Sequence, residues 1–361
     1  MDVRRTTGPE AFDLPEWAGL AARDPTRHVF LLPEWGRAWW EEFGAGQELI
    51  VLTFLDPEPV GLAALTLDTE PGPSPASRTP GGGGRLRFLG GDDLTDYMGP
   101  ATAGPEYLPG VADALVRYAC DEIPGWSLFD AKCLPVPFGF AEWLVEAADR
   151  LGVRFELEQH ETTAVLPLPR SFEEYLDSLA AKDRHEVRRK LRRFEREAPD
   201  ARLVTATEDS LERDLRDFVG MHRASGGPKG HFMGPERETF FLRIARSFQP
   251  RGLLSLDFLE TGETAGRRIA ATFSFRHEGT FYLYNSAYDA SMRAISPGLT
   301  IVVRLIERSI AEGYRRLDFL RGEERYKYDL GAVALPLHAV RLRRSPEVPG
   351  ALGSRPANAR A

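Results

Sequence analysis

The most informative spacing in this chain lies in the loop Arg293-Ala294-Ile295-Ser296-Pro297-Gly298, between a pair of strands and a helix. Ser296 as N-cap and Pro297 at the first helical position predict that a helix starts there. The first turn of a helix carries unpaired N–H groups and the positive end of the helix dipole, and Arg293 adds a formal charge beside it. Gly298 leaves room for a close backbone approach, and Leu299 continues the turn. Arg293, Ser296, Gly298 and Leu299 together suit a pyrophosphate; the same residues also make an ordinary helix start, and spacing alone leaves both readings open. A second cationic feature is the run from Lys182 to Arg196, which holds eight Lys/Arg. Arg184, Arg188, Arg192 and Arg196 recur every four residues, so on a helix they share a face. That face is either an anion site (for CoA phosphates, a nucleotide-linked sugar or a tRNA acceptor stem) or a solvated, salt-bridged surface, since Glu186, Glu195 and Glu197 lie within reach.

The order of elements and the R-x-x-S-P-G loop resemble the acyl-CoA-binding half of a GNAT-fold acyltransferase, whose pyrophosphate loop is usually written Q/R-x-x-G-x-G/A. Ser296 stands where Gly is usual, and Pro297 removes one amide. The closer resemblance is to the BioF2-like branch, the acetyltransferases associated with cellulose biosynthesis. It is carried by LPRSFEEYLDSLAAKDRHEVRRKLRR, GRRIAATFSF, YNSAYDASMRAISPG and DFLRGEERYKYDLG, with weaker matches at PEWGRAWWEEFG and GGDDLTDYMGP. That branch is also similar to Fem-type transferases, which carry two GNAT units and take an aminoacyl group from tRNA. The resemblance implies transfer of an acetyl or other acyl group from acyl-CoA, as co-substrate, to a hydroxyl or amine of a small-molecule or glycan-precursor acceptor. The alternatives it implies are an aminoacyl-tRNA-dependent transferase and a non-catalytic GNAT scaffold in polysaccharide assembly.

Acyl transfer by direct attack needs a base for the acceptor, a stabilised oxyanion and a proton for the leaving thiolate. Tyr288 and Asp289 follow the strand that ends at Ala287. Asp289 would serve as base if burial raised its pKa, and Tyr288 as proton donor; otherwise Asp289 caps the loop and Tyr288 packs. Glu323, Tyr326 and Lys327 follow Asp318-Phe319-Leu320, at the strand end where α/β enzymes keep their sites. Lys327 is one of only five lysines, against 41 arginines. Its ammonium is expected either to hold a phosphate or oxyanion or to be solvated. His222 and His231 bracket HRASGGPKGH, a segment that could cover the acceptor, and either is a candidate base.

These groups must be positioned by alternating helices and strands. In the first half we expect a helix at Pro33–Phe43, a hairpin of Leu49–Leu55 and Val60–Leu67, and a loop at Pro71–Gly84. A strand Arg85–Leu89, a helix Leu108–Glu122, a strand Trp126–Ala131 and a helix Phe140–Leu151 follow. In the second half a strand Thr163–Leu168 leads to a Ser171/Glu174 capping box and a helix running on through the basic segment. Next come a strand Leu203–Ala206, helices Leu211–Arg223 and Glu236–Phe248, and strands Leu253–Leu259, Arg268–Arg276 and Thr280–Ala287. Helix Leu299–Gly313 and strands Arg316–Leu320 and His338–Arg343 complete it. The fold class is α/β (α+β): two tandem GNAT-like domains, each a mixed, mostly antiparallel sheet flanked by helices. The expected boundaries are 1–160, without a cofactor site, and 161–344, the acyltransferase domain. Strand 338–343 is expected to pack on the first domain, and 345–361 to be a disordered tail.

Composition narrows the rest. The 361 residues are 42% hydrophobic, enough for two cores. A net charge of −8 argues against a general nucleic-acid binder, tRNA in the alternative reading aside. No apolar run of membrane-spanning length and no signal-peptide pattern is present, so we expect no membrane insertion and a cytoplasmic location. Two cysteines and seven scattered histidines suggest a reducing compartment and no metal.

Overall fold

The structure, a computed structural model, describes residues 1–68, 83–91, 93–262, 266–344 and 359–360, with side chains for all of these except 227–229 and 359–360. Most of the expected Pro71–Gly84 loop and of the 345–361 tail lies outside the described residues; Ala359 and Arg360 pair with Glu156 and Leu157. The chain divides into two compact units, Met1–Thr162 with Leu335–Ala361, and Thr163–Ala334.

In chain order, the first unit contains β1 (Asp2–Thr7), α1 (Pro15–Arg23), α2 (Pro33–Phe43), β2 (Gln47–Asp56), β3 (Glu58–Asp68), β4 (Gly84–Phe88) and β5 (Ala101–Thr102). It continues with α3 (Leu108–Glu122), β6 (Trp126–Pro135), α4 (Phe140–Arg150) and the start of β7 (Arg154–Pro167). The second unit contains α5 (Phe172–Ser178), α6 (Ala181–Glu197), β8 (Arg202–Thr205), α7 (Leu211–Ala224), α8 (Gly227–Phe232) and α9 (Pro235–Phe248). Then come β9 (Leu254–Thr261), β10 (Arg267–His277), β11 (Thr280–Tyr288), α10 (Pro297–Ala311), β12 (Arg316–Arg321) and α11 (Arg325–Asp329). The last strand, β13 (Val333–Arg343), returns to the first unit.

Both units are mixed, mostly antiparallel sheets flanked by helices. In the first, the order β1-β2-β3-β4-β6-β13 is antiparallel throughout except for the parallel pair β4/β6. In the second, β8-β9-β10-β11-β12-β7 repeats that pattern, with β11/β12 as the parallel pair. The same series of helices fills the gaps: two between the first and second strands (with the short α8 between them in the second unit), one before the parallel partner, one after it. The chain is therefore an internal repeat.

The helix expected from Ser171 onward is two helices. Ser171 Oγ accepts the Glu174 N–H at 3.1 Å, which is half of the expected capping box, while Glu174 Oε2 reaches back one residue further to accept the Arg170 N–H at 3.0 Å. Leu179 is extended (φ −72°, ψ 147°) and α6 starts afresh at Ala181. The break lets Tyr175, Leu176 and Leu179 join the core built around α10 while α6 contributes only Val187 and Phe194 as fully buried positions. On that side α10 buries Ile301, Val302, Val303, Leu305, Ile306 and Ile310 against Phe281, Leu283 and Leu317. At about 1.5–3 kcal/mol for each large side chain, this packing fixes the helix whose first turn concerns us.

Candidate functional site

β11 and β12 are paired at Thr280↔Arg316, Phe281↔Leu317 and Tyr282↔Asp318, and beyond these positions no pairing between them is found among the described residues. β11 runs on to Tyr288 alongside β10, so over that stretch its other backbone edge has no strand partner among the described residues; the gap left between β11 and β12 is called the slot below. A bulge falls in that stretch, between Phe273↔Asn285 and Ser274↔Leu283. At the end of β11 the chain makes a 3-10 turn, Ala290–Ile295, and enters α10.

The loop expected to hold the cofactor forms the start of α10. Ser296 is the N-cap, in the left-handed region at φ 56° and ψ 50°, and its side chain makes no capping hydrogen bond. That conformation explains why glycine is usual at this position. Thr300 N–H already bonds the Ser296 carbonyl, and Pro297 has no N–H, which leaves the Gly298 and Leu299 amides at the helix start. No acidic residue lies in the first turn. Arg293 is exposed and has no ion pair among the described residues. A Cβ placed on Gly298 would meet Tyr288 Cδ1 at 2.9 Å, so the glycine is needed for the aromatic ring to lie against the helix start. Tyr288 itself is 41% exposed.

Other expectations change. Asp289 is not a base awakened by burial. It accepts Ser291 N–H at 2.9 Å and Ser291 Oγ–H at 2.7 Å and is paired with Arg267, and these contacts hold its carboxyl below the ordinary aspartate value. It is an ionised cap, and a weak base. Lys327 is not an anion binder either. It is 3% exposed, and its three N–H donors go to the Arg321 carbonyl (2.6 Å), the Gly322 carbonyl (3.2 Å) and Glu324 Oε2 (2.9 Å). It staples the turn after β12, where Gly322 has φ +110°. Burial raises the Tyr326 phenol above its usual value, and its ring packs edge-on to Phe319, so it is a neutral packing residue. Glu323 in the same turn is exposed, with no hydrogen bond or ion pair among the described residues.

His222, 1% exposed on α7, is a spoke to the sheet. Its Nε2–H donates to Asn285 Oδ1 at 2.8 Å, and the same oxygen accepts the Ser286 N–H at 2.9 Å, which fixes the oxygen and hence the histidine tautomer. The ring sits between Phe218 and Phe232. His231 is exposed on α8, so the segment expected to be a covering loop contains a helix. Asn285 escaped the sequence reading, because only the β11 bulge and the partner on α7 mark it out.

The basic helix α6 packs against the 290–295 turn and α10. Part of it is a salt-bridged surface. Arg184 pairs with Asp177 at 3.3 Å, Arg188 with Glu173 at 2.9 Å, and Arg189 with Glu186 at 2.7 Å. Glu186 is held down to about 2 by Arg189, with Lys190 adding to it. Arg196 pairs with Glu197 at 3.0 Å, whereas Arg192, Arg193 and Lys182 have no such partner among the described residues, so of the four arginines expected on one face only Arg192 is uncommitted. Among the described residues no group of three His, Cys, Asp or Glu is placed to hold a metal ion, and no helix is long and apolar enough to cross a membrane.

Residues 181–328 match the family model described as the acetyltransferase (GNAT) domain. The match lies wholly within the second unit and says what that unit is similar to. Comparison with curated proteins finds no match. Among solved structures, FemX covers 94% of this chain and 97% of its own at 12% identity and a TM-score of 0.60. A conserved protein of unknown function from Bacteroides thetaiotaomicron VPI-5482 covers 92% and 97% at 15% identity and a TM-score of 0.57. L-PGS from Bacillus licheniformis covers 85% and 90% at 15% identity and a TM-score of 0.52. At these identities the likeness is one of fold, and it extends over nearly the whole length of this chain.

Proposed function

We propose that the second unit transfers an acyl group, most simply acetyl, from acyl-CoA to a hydroxyl or amine. The observation that carries this is the parting of β11 and β12 beside a helix start with free amides and an uncommitted arginine. Gly298, Leu299 and Arg293 would hold the pyrophosphate, and the slot would take the pantetheine arm beside the unpaired edge of β11. The acceptor oxygen or nitrogen would attack the thioester carbonyl directly. The carbon–sulfur bond breaks, the acceptor loses a proton to a base, and the thiolate takes one up. Glu323 is the candidate base left uncommitted, and Tyr288, exposed at the mouth, the candidate proton donor. The acceptor class, a glycan or envelope precursor, rests on the sequence resemblance.

A transfer assay with labelled acetyl-CoA and hydroxyl and amine acceptors tests the reading. Thiol release that needs an acceptor and falls at least tenfold in kcat for Glu323→Gln supports it; no transfer with any acceptor class contradicts it. The second reading, transfer of an aminoacyl group from tRNA, is supported by the FemX likeness and by Arg192, Arg193 and Lys182 on α6. It predicts activity only with charged tRNA and a steep loss with salt.

A further inference from the structure

The two repeats can be laid on each other residue by residue at one unusual place. In β6, Cys133 is fully buried at φ 54°, and in β12, Leu320 is 2% exposed at φ 60°. Left-handed backbone at a buried, bulky side chain is strained and needs something to hold it. Each residue lies where its strand has one residue more than its antiparallel neighbour: between Ala131↔Val340 and Leu134↔His338 in one repeat, and between Asp318↔Val165 and Arg321↔Thr163 in the other. Each follows the parting of the parallel pair, after Phe129 in β6 and after Asp318 in β12. Cys133 and Leu320 are therefore equivalent.

In the first repeat the use of this bulge is visible. The connection from β4 to α3 spans 89–107, whereas that from β11 to α10 spans only 289–296. The additional chain includes the buried segment Leu94–Met98, and the Met98 N–H donates to the Cys133 carbonyl at 3.0 Å. The left-handed residue thus turns its carbonyl away from β13, toward the side that β4 has left. The first repeat fills its slot with its own peptide, and the contact is an amide N–H on the bulge carbonyl.

We infer that the equivalent carbonyl of Leu320 is the acceptor for an amide N–H of the acyl donor's pantetheine arm, and that Asp318 is the positioning residue that sets it. This rests on the acyl-CoA reading above. Asp318 is 3% exposed, and its Oδ1 accepts the Leu320 N–H at 2.8 Å, which ties down the amide two residues ahead and with it the left-handed turn. Pantetheine carries two secondary amides, so the ligand supplies the donor that Met98 supplies in the first repeat.

The test uses the full chain and three ligands: acetyl-CoA, an analogue with esters in place of the pantetheine amides, and the adenosine bisphosphate fragment of CoA. On the wild-type protein the ester analogue should bind about fivefold to tenfold more weakly than acetyl-CoA, the effect of one lost hydrogen bond. On Asp318→Ala that difference should shrink to less than about twofold, while the fragment binds both proteins equally. Asp318→Asn, which keeps an acceptor oxygen, should retain the wild-type difference. An ester cost that is absent on the wild type, or the same on Asp318→Ala, overturns the assignment. If Asp318→Ala does not fold, the wild type and Asp318→Asn still decide it, since absence of the ester cost in either overturns it. A wild-type protein that binds neither acetyl-CoA nor the fragment removes the acyl-CoA reading itself, a different failure from binding both with no amide dependence.

Discussion

The two repeats share a strand order, a left-handed bulge in the strand after the parallel step, and even a Pro-Gly helix start, Pro109-Gly110 in α3 and Pro297-Gly298 in α10. They differ in what surrounds that start. Three residues before Ser296 stands Arg293; three before Leu108 stands Pro105, followed by Glu106. Where a Cβ on Gly298 would strike the Tyr288 ring, one on Gly110 would meet the Met1 side chain at 3.0 Å. The slot beside β6 holds Leu94–Met98, and the short β11–α10 connection supplies no such segment. One fold thus carries two electrostatic outcomes, set by one charge and one insertion. The scaffold and the bulge are common to both repeats, whereas the charge and length of the loop before the helix are not.

The largest expected effect is steric. Gly298→Val should lower acetyl-CoA affinity by about a hundredfold, because its side chain and Tyr288 cannot both lie at the helix start. Gly110→Val should leave affinity within about twofold, a contrast that calorimetry reads directly. Next is charge. Arg293→Ala should cost roughly 1.5–3 kcal/mol of binding, the range for a charge-assisted contact, whereas Glu106→Ala should cost none. Equal effects in the two repeats would break the comparison. Removing the plug's hydrogen bond with Met98→Pro should lower stability by about 1–3 kcal/mol in denaturant unfolding, with donor affinity unchanged.

The smallest effect concerns the Asp289 cap. Its folded pKa lies below the ordinary aspartate value because Ser291 and Arg267 bond the ionised form. Its contribution is therefore present above the unfolded pKa, and it is lost as pH falls through the lowered folded value. Asp289→Asn should destabilise by about 1 kcal/mol at neutral pH, and wild type and variant should converge at strongly acid pH. A difference that grows toward acid would contradict the assignment.

Much of this scaffold could be read from the sequence, because burial imposes periodicity. The helix expected at Pro33–Phe43 has those ends, and strands β9 to β12 and helices α7, α9 and α10 fall within a few residues of expectation. Elements whose sequences lack an apolar pattern were missed. β1 is the polar edge strand DVRRTT, and α11 lies inside a segment read as loop. β7 and β13 begin well before their expected starts, in stretches rich in polar or exposed residues. The helix break at Leu179–Ala180 has no glycine or proline to announce it. At the site, the start of α10 at Pro297 was legible because helix starts are local. The fates of Asp289 and His222 were not, since Arg267 and Asn285 reach them only through the tertiary fold. That of Lys327 was not because it depends on the backbone turn at Gly322 that brings two carbonyls to its ammonium.

The central claim is that one repeat binds an acyl-CoA and the other has closed its slot. The stoichiometry of acetyl-CoA binding to the full chain, measured by titration calorimetry, tests it most directly. The account predicts one ligand per chain, abolished by Gly298→Val and untouched by Gly110→Val. Two ligands per chain, or none, would contradict it.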